Sequence, residues 1–231
     1  MEPSIAKNLE TVRAVISQAE RSSGRASGTV ELIAVSKTHP PDVIQEAVEA
    51  GQLLFGENKI QEAKAKIPEL PSKLRWHLIG HLQSNKVRVA LPLFELIHGV
   101  DSVELLGQIQ SNAKQHGLYP KVLLQVNVAG ESSKFGFAPD GLLSGLEAIS
   151  QIDRVEILGL MTIPPLSPSP EDSRKYFIRL RELRDRIEKE LKFGLPHLSM
   201  GMSGDYRIAV EEGATLVRVG TAIFGERRPK R

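Results

Sequence analysis

The stretch Glu31–His39, ELIAVSKTH, decides how this chain is read: it is an apolar run that ends on a lysine. With Val30–Ser36 taken as a strand, the period of two places Ile33, Val35 and Lys37 on one face and Leu32, Ala34 and Ser36 on the other. Lys37 then stands at the C-terminal mouth of a buried strand. The commoner fate of a lone lysine there is to leave the strand and point its ammonium into water. In an apolar setting beside other cations, its pKa falls from about 10.4 and the neutral amine can condense with an aldehyde.

Outward from this stretch, strands and helices alternate. Before it, Pro3–Arg21 reads as a helix, with Ile5, Leu9, Val12, Ile16 and Ala19 recurring at three or four residues and Ser22-Ser23-Gly24 closing it. After it, Pro40-Pro41 opens a helix that ends at Gly51. Further strands are predicted at Leu53–Gly56, Arg75–Ile79, Leu96–Gly99, Lys121–Val128, Val155–Thr162, His197–Met202 and Leu216–Gly220. The helices between them are predicted at Asn58–Ile67, Ser84–Ala90, Val103–His116 with Ser102 as its cap, Leu142–Ile149, Ser169–Lys192 and Tyr206–Gly213. About eight strand–helix units with strands buried on both faces make a closed parallel α/β barrel, a (β/α)8 TIM barrel with an extra N-terminal helix, the expected fold. An open doubly wound sheet is the competing architecture. No domain linker interrupts residues 1–231, so a single domain is expected.

Composition narrows the function. Cysteine is absent, which removes disulfides, thiolate nucleophiles and cysteine metal sites, and the six histidines show no metal-binding spacing. The net charge is +2, with acidic and basic residues interspersed, unlike a nucleic-acid binder. The one basic cluster, Arg227-Arg228-Pro229-Lys230-Arg231, reads as a frayed terminus. No signal peptide is visible and no apolar run reaches the ~20 residues that span a bilayer, so a soluble, cytoplasmic protein is expected.

In such a barrel the site lies where the strands end. There the sequence offers Lys37, Asn58, His81, Asp101, Asn127, Met161, Ser203 and Arg218. Strand parity puts Arg218 on one face with Leu216 and Gly220. Ser203-Gly204-Asp205 opens a helix after the seventh strand and Gly220-Thr221 follows the eighth. Glycine lets backbone N–H groups approach an anion, and hydroxyls add donors. Taken singly, Ser203 reads as a helix cap and Gly220 as a turn. Together, opposite a strand-end lysine, they favour a phosphorylated aldehyde.

The stretches AVSKT at 34–38, FGEN at 55–58, WHLIGHLQSNK at 76–86, GLMTI at 159–163, MGMSGD at 200–205 and VRVGTAIFG at 217–225 resemble those of the pyridoxal phosphate homeostasis (YggS-like) proteins. The resemblance implies a single-domain barrel of the alanine racemase N-terminal type (PLP fold type III) holding pyridoxal 5'-phosphate (PLP), with a role in vitamin B6 and amino-acid balance and no established reaction. Carried over by motif position, it implies that Lys37 forms the aldimine and that Ser203, Gly204, Gly220 and Thr221 hold the phosphate. Arg218 then faces the pyridine nitrogen, and Asn58, His81 and Met161 line the ring. Lys134, in the loop Glu131–Phe137, resembles a second lysine near the mouth. Each has a plainer role open to it: core packing for Met161, a structural hydrogen bond for His81, a helix cap for Asn58, solvation for Lys134. HLQSNK also suits a partner surface or anion site, although for Gln83 and Lys86 singly a polar helix start is the commoner explanation. The protein is then read as a monomeric or weakly associating PLP carrier or buffer, with PLP, amino acids as an external aldimine and apo PLP enzymes as its expected partners.

Two enzymatic readings compete. Against an amino-acid racemase or decarboxylase, the barrel racemases of this type need a second acid/base, which the related enzymes take from an extra β-domain that a chain of this length is not expected to contain. Tyr119, Tyr176 and Tyr206 fall on a loop or helices. A phosphosugar enzyme with a Schiff-base lysine explains Lys37 and the phosphate segments but not Arg218.

Overall fold

A computed structural model describes residues 4–131 and 134–226; the basic cluster at Arg227–Arg231 lies outside the described residues. The strands are β1 (Glu31–Val35), β2 (Leu54–Glu57), β3 (Arg75–His81), β4 (Leu96–Val100), β5 (Lys121–Gln125), β6 (Glu156–Met161), β7 (His197–Ser199) and β8 (Leu216–Val219). They form a closed parallel barrel in sequence order, with β8 returning to pair with β1 through Ile33↔Arg218 and its neighbours. The helices are α1 (Ile5–Ser22), α2 (Pro41–Glu49), α3 (Ile60–Lys66), α4 (Val87–Ala90), α5 (Val103–His116), α6 (Pro139–Ser144), α7 (Leu146–Ser150), α8 (Arg174–Leu191), α9 (Tyr206–Glu211) and α10 (Thr221–Phe224). Among the described residues no helix is long and apolar enough to cross a membrane.

Local chemistry sets most boundaries. The Ser102 hydroxyl accepts the Leu105 N–H at 3.2 Å and Gly117 turns left-handed after His116, so α5 has its predicted bounds. The predicted helix at 142–149 is two helices, α6 and α7, broken at Gly145. That at 169–192 opens as a 3-10 turn over Pro170–Ser173 before α8. β5 stops at Gln125 rather than Val128, because the chain folds back: the Asn127 N–H donates to the Phe137 carbonyl, and its side-chain amide donates to those of Glu131 and Lys134. β7 ends at Ser199, three residues short of its predicted end.

The inner face of the barrel packs Ile33, Val35, Leu54, Ile79, Leu96, Leu123, Met161 and Leu216. The outer faces bury Phe55, Trp76, Leu78, Ile97 and Val217 under the helices. Alternation therefore points Ile33 and Val35 inward on β1 and Leu216 and Arg218 inward on β8. The amino-terminal end is closed by Arg75, which pairs with Glu31 at 2.6 Å and Glu95 at 2.7 Å. Near the carboxyl end the backbones crowd: a Cβ on Gly80 would lie 2.4 Å from the Asn58 carbonyl oxygen, so only glycine lets β3 pass beneath residue 58. Not every strand is apolar inside, since β3, β4, β5, β7 and β8 bury His77, His98, Gln125, Ser199 and Arg218.

Candidate functional site

Lys37 follows β1 by two residues and is half-buried at the carboxyl mouth of the barrel. Both its neighbours are held. The Ser36 hydroxyl donates to Glu57 Oε1 at 2.7 Å, and the Thr38 N–H donates to Glu62 Oε2 at 2.9 Å. Thr38 has φ +69°, a left-handed conformation rare for a β-branched residue. His39 lies against Phe224 of α10, ring centroids 4.8 Å apart, which brings the Lys37 segment beside the segment after β8.

That segment and the one after β7 are joined by Ser203. Its hydroxyl oxygen accepts the N–H groups of Gly220 at 3.1 Å and Ala222 at 3.3 Å, leaving its own proton to donate elsewhere. Ser203 is therefore not a helix cap; Asp205 precedes α9, and its carboxylate accepts the Met202 N–H at 2.7 Å. A Cβ on Gly204 would meet nothing within 4 Å, while one on Gly220 would lie 3.4 Å from Val35 Cβ, two residues before Lys37. Gly220 does not need glycine for its φ of −115°. Thr221 is exposed beside it. Two glycines, two hydroxyls and the local amides so form a patch of donors next to the strand that leads to Lys37.

Arg218 is 4% exposed inside the barrel. It donates to Ser199 Oγ at 2.5 Å and to the Thr162 carbonyl at 2.9 Å. Behind it a chain of buried side chains crosses the interior: His98 Nδ1 is 2.8 Å from Ser199 Oγ, and His98 Nε2 is 3.1 Å from His77 Nδ1. Arginine only donates, so the arrangement that satisfies the serine proton runs Ser199 to His98 Nδ1 and His98 Nε2–H to His77 Nδ1. Burial lowers the His77 pKa to about 4 and holds that of His98 well below the usual value, so both rings are neutral at pH 7. Burial lowers Arg218 to about 10, which leaves it charged at pH 7.

The other predicted residues are spread around the mouth. Asn58 is half-buried directly after β2 and caps no helix, since Lys59 precedes α3. His81, at the end of β3, places Nδ1 2.9 Å from Asp101 Oδ2 and stacks on Phe135 with centroids 4.0 Å apart. Met161 is wholly buried in the interior cluster, so it is floor beneath the mouth rather than a wall of it. Lys134 is not solvated freely: its Nζ donates to the Pro164 carbonyl at 3.1 Å and pairs with Glu131 at 2.6 Å. Gln83 is exposed after β3, and Lys86 is half-buried within a 3-10 turn. Asp101 is engaged with His81, and Asn127 with the carbonyls of Glu131 and Lys134. Sequence reading missed Ser199, His98, Gln125 and Phe135. A histidine at inward parity in LIHGV was the available sign for His98.

Across residues 6–228 the chain matches the family model described as alanine racemase, N-terminal domain. It is 45% identical over 225 residues to the pyridoxal phosphate homeostasis protein of Pseudomonas aeruginosa, with 96% of both chains covered. The chain belongs to the pyridoxal phosphate homeostasis protein family. The Aquifex aeolicus member is 44% identical, with 96% of this chain and 98% of that one covered. Among solved structures, PipY of Synechococcus elongatus with PLP bound is 41% identical at a TM-score of 0.84, covering 96% of this chain and all of the other. Alanine racemase of Clostridium difficile shares the fold at TM-score 0.69 and 14% identity, covering 98% of this chain and 57% of that one. The donor set fits the cofactor this family is named for: a lysine amine, hydroxyls and amides for a phosphate, and a buried guanidinium, with the nearby Asp205 carboxylate already engaged by a backbone N–H.

Proposed function

We propose that this member of the pyridoxal phosphate homeostasis protein family holds PLP as a Schiff base on Lys37 and serves as a reversible carrier or buffer of the cofactor, without efficient catalysis. What carries the reading is the convergence of an amine on the exit from β1, a donor patch after β7 and β8, and a buried guanidinium on β8, all at neighbouring strand ends of one mouth. Bound PLP supplies an aldehyde that condenses with a primary amine and releases water. Lys37 would provide that amine, and Ser203, Gly204, Gly220 and Thr221 would hold the phosphate. Asn58 and His81 would flank the ring, and Met161 would support the floor beneath it.

Arg218 limits the chemistry. It presents only N–H donors and stays protonated at neutral pH, so it keeps a facing pyridine nitrogen unprotonated and a poor electron sink. Its anchors on Ser199 and Thr162 hold it in that role. None of the three tyrosines lies on a strand, so none is an evident second base opposite Lys37. Amino acids would then reach the bound aldehyde without being turned over at enzyme rates, and apo PLP enzymes are the natural recipients of a reversibly held cofactor. A titration of the purified protein with PLP, followed by visible absorption, tests this. The wild type should develop a band that Lys37→Ala lacks; the same band in Lys37→Ala would overturn the assignment.

A further inference from the structure

Behind β1 lies a charged cluster whose contacts converge on the residues flanking Lys37. Lys66, at the end of α3, has a side chain only 10% exposed. Its Nζ donates to the Ser36 carbonyl at 3.0 Å, to Glu57 Oε1 at 2.9 Å and to Glu62 Oε2 at 3.5 Å. Glu57 is fully buried and also accepts the Ser36 hydroxyl; Glu62 also accepts the Thr38 N–H. Residue 36 is thus gripped by carbonyl and hydroxyl, residue 38 by its amide, and Lys37 is the residue between them.

We infer that Lys66, Glu57 and Glu62 are positioning residues for Lys37, a clamp that presents its amine to the aldehyde of the cofactor; the inference rests on the reading that Lys37 carries PLP. Three observations favour this over a purely structural ion pair. Buried charges are a weak source of stability, because apolar side chains of similar volume do as well or better. Here one Glu57 oxygen, Oε2, is buried without a hydrogen-bond partner, so the cluster is not arranged for maximum stability. Thr38 holds a left-handed φ of +69°, rare for a β-branched residue, at the third position of a turn closed by the His39 N–H on the Ser36 carbonyl at 3.1 Å, and the Glu62 carboxylate accepts the Thr38 N–H in that turn. The contacts also converge on one point: Lys66, 30 residues along the chain, reaches the backbone of β1's exit.

The test compares two ligands on the full-length protein. PLP carries ring, phosphate and aldehyde; pyridoxamine 5'-phosphate carries ring and phosphate but cannot link to Lys37. In Lys66→Met and Glu62→Ala the affinity for PLP should fall by about tenfold or more, as expected when a reacting group is misplaced, with the affinity for pyridoxamine 5'-phosphate within about twofold of wild type. Glu62→Gln keeps an acceptor for the Thr38 N–H and should restore most of the loss. Glu62 is partly exposed on a helix where alanine is well tolerated, so that variant decides the matter if Lys66→Met fails to fold. Unchanged PLP affinity, or an equal fall for both ligands, would overturn the clamp. Borohydride reduction of the wild type separates the two levels: label on Lys37 with variants that bind normally removes the clamp alone, and label on another lysine removes the underlying reading with it.

Discussion

Ser199→Ala is the sharpest single perturbation of the interior. Ser199 and His98 are 0% exposed and Arg218 4%, so water cannot replace what the hydroxyl supplies. The change removes an acceptor from a charged guanidinium at 2.5 Å and a partner from His98 Nδ1 at 2.8 Å. A hydrogen bond to a charged group contributes about 1.5–3 kcal/mol, and a neutral buried group left unsatisfied costs about 1–3 kcal/mol. The two overlap through one hydroxyl, so a loss of about 3 kcal/mol is expected, with little added by the small volume deleted. For a chain of this size that is a fall in Tm of roughly 6–12 °C. Urea and thermal unfolding of the apoprotein measure it, and Ser199→Ala combined with His98→Leu should cost less than the two single changes summed, because the pair leaves Arg218 and His77 Nδ1 short of a partner but no longer strands His98 Nδ1 or the Ser199 proton. A loss below about 1 kcal/mol, or strict additivity, would refute the chain of bonds from Arg218 to His98.

The neutral histidines make stability depend on pH. Their folded pKa values lie below the unfolded value of about 6.5, so the unfolded chain binds more protons as pH falls. Stability should be fully present above about pH 7 and decline from there toward pH 4 by about 1.4 kcal/mol per pH unit for each ring; urea unfolding of His77→Phe across that range should show a shallower slope, and an unchanged slope would count against a buried neutral His77. Pyridoxal without its phosphate should bind far more weakly than PLP, since Ser203, Thr221 and the local amides lose their acceptor, and equal affinities in a titration would refute the phosphate patch. With a panel of L-amino acids the PLP-loaded protein should show neither racemisation nor carbon dioxide release at enzyme rates; turnover of ~1 per second or faster would promote the racemase or decarboxylase alternative over the carrier.

Much of the barrel was legible because its logic is local. The period of two in ELIAV and LVRV put Ile33 with Val35 on one face and Leu216 with Arg218 on one face, and in the barrel both of those faces point inward. Ser102 and Gly117 bounded α5 through caps that act within four residues. Boundaries slipped where a distant partner intervened, as at Asn127, whose bonds to Glu131, Lys134 and Phe137 turn the chain out of β5. The same holds for the site. Lys37 and the glycine-hydroxyl segments could be picked out one by one, but the Ser203 bridge to Gly220 and Ala222 is made between strands. His98 and Ser199 are 101 residues apart, and Lys66 meets Ser36 across 30. Met161 was named from its motif position at a strand end; that its side chain is wholly covered by the interior cluster is set by neighbouring strands the motif does not contain.

The central claim is that one amine, that of Lys37, holds the cofactor. Loading the protein with PLP, reducing it with borohydride and mapping the modified peptide by mass tests this directly. The account predicts a single stoichiometric label on Lys37, absent from Lys37→Ala. A label on Lys134, Lys66 or any other lysine, with Lys37 unmodified, would contradict it.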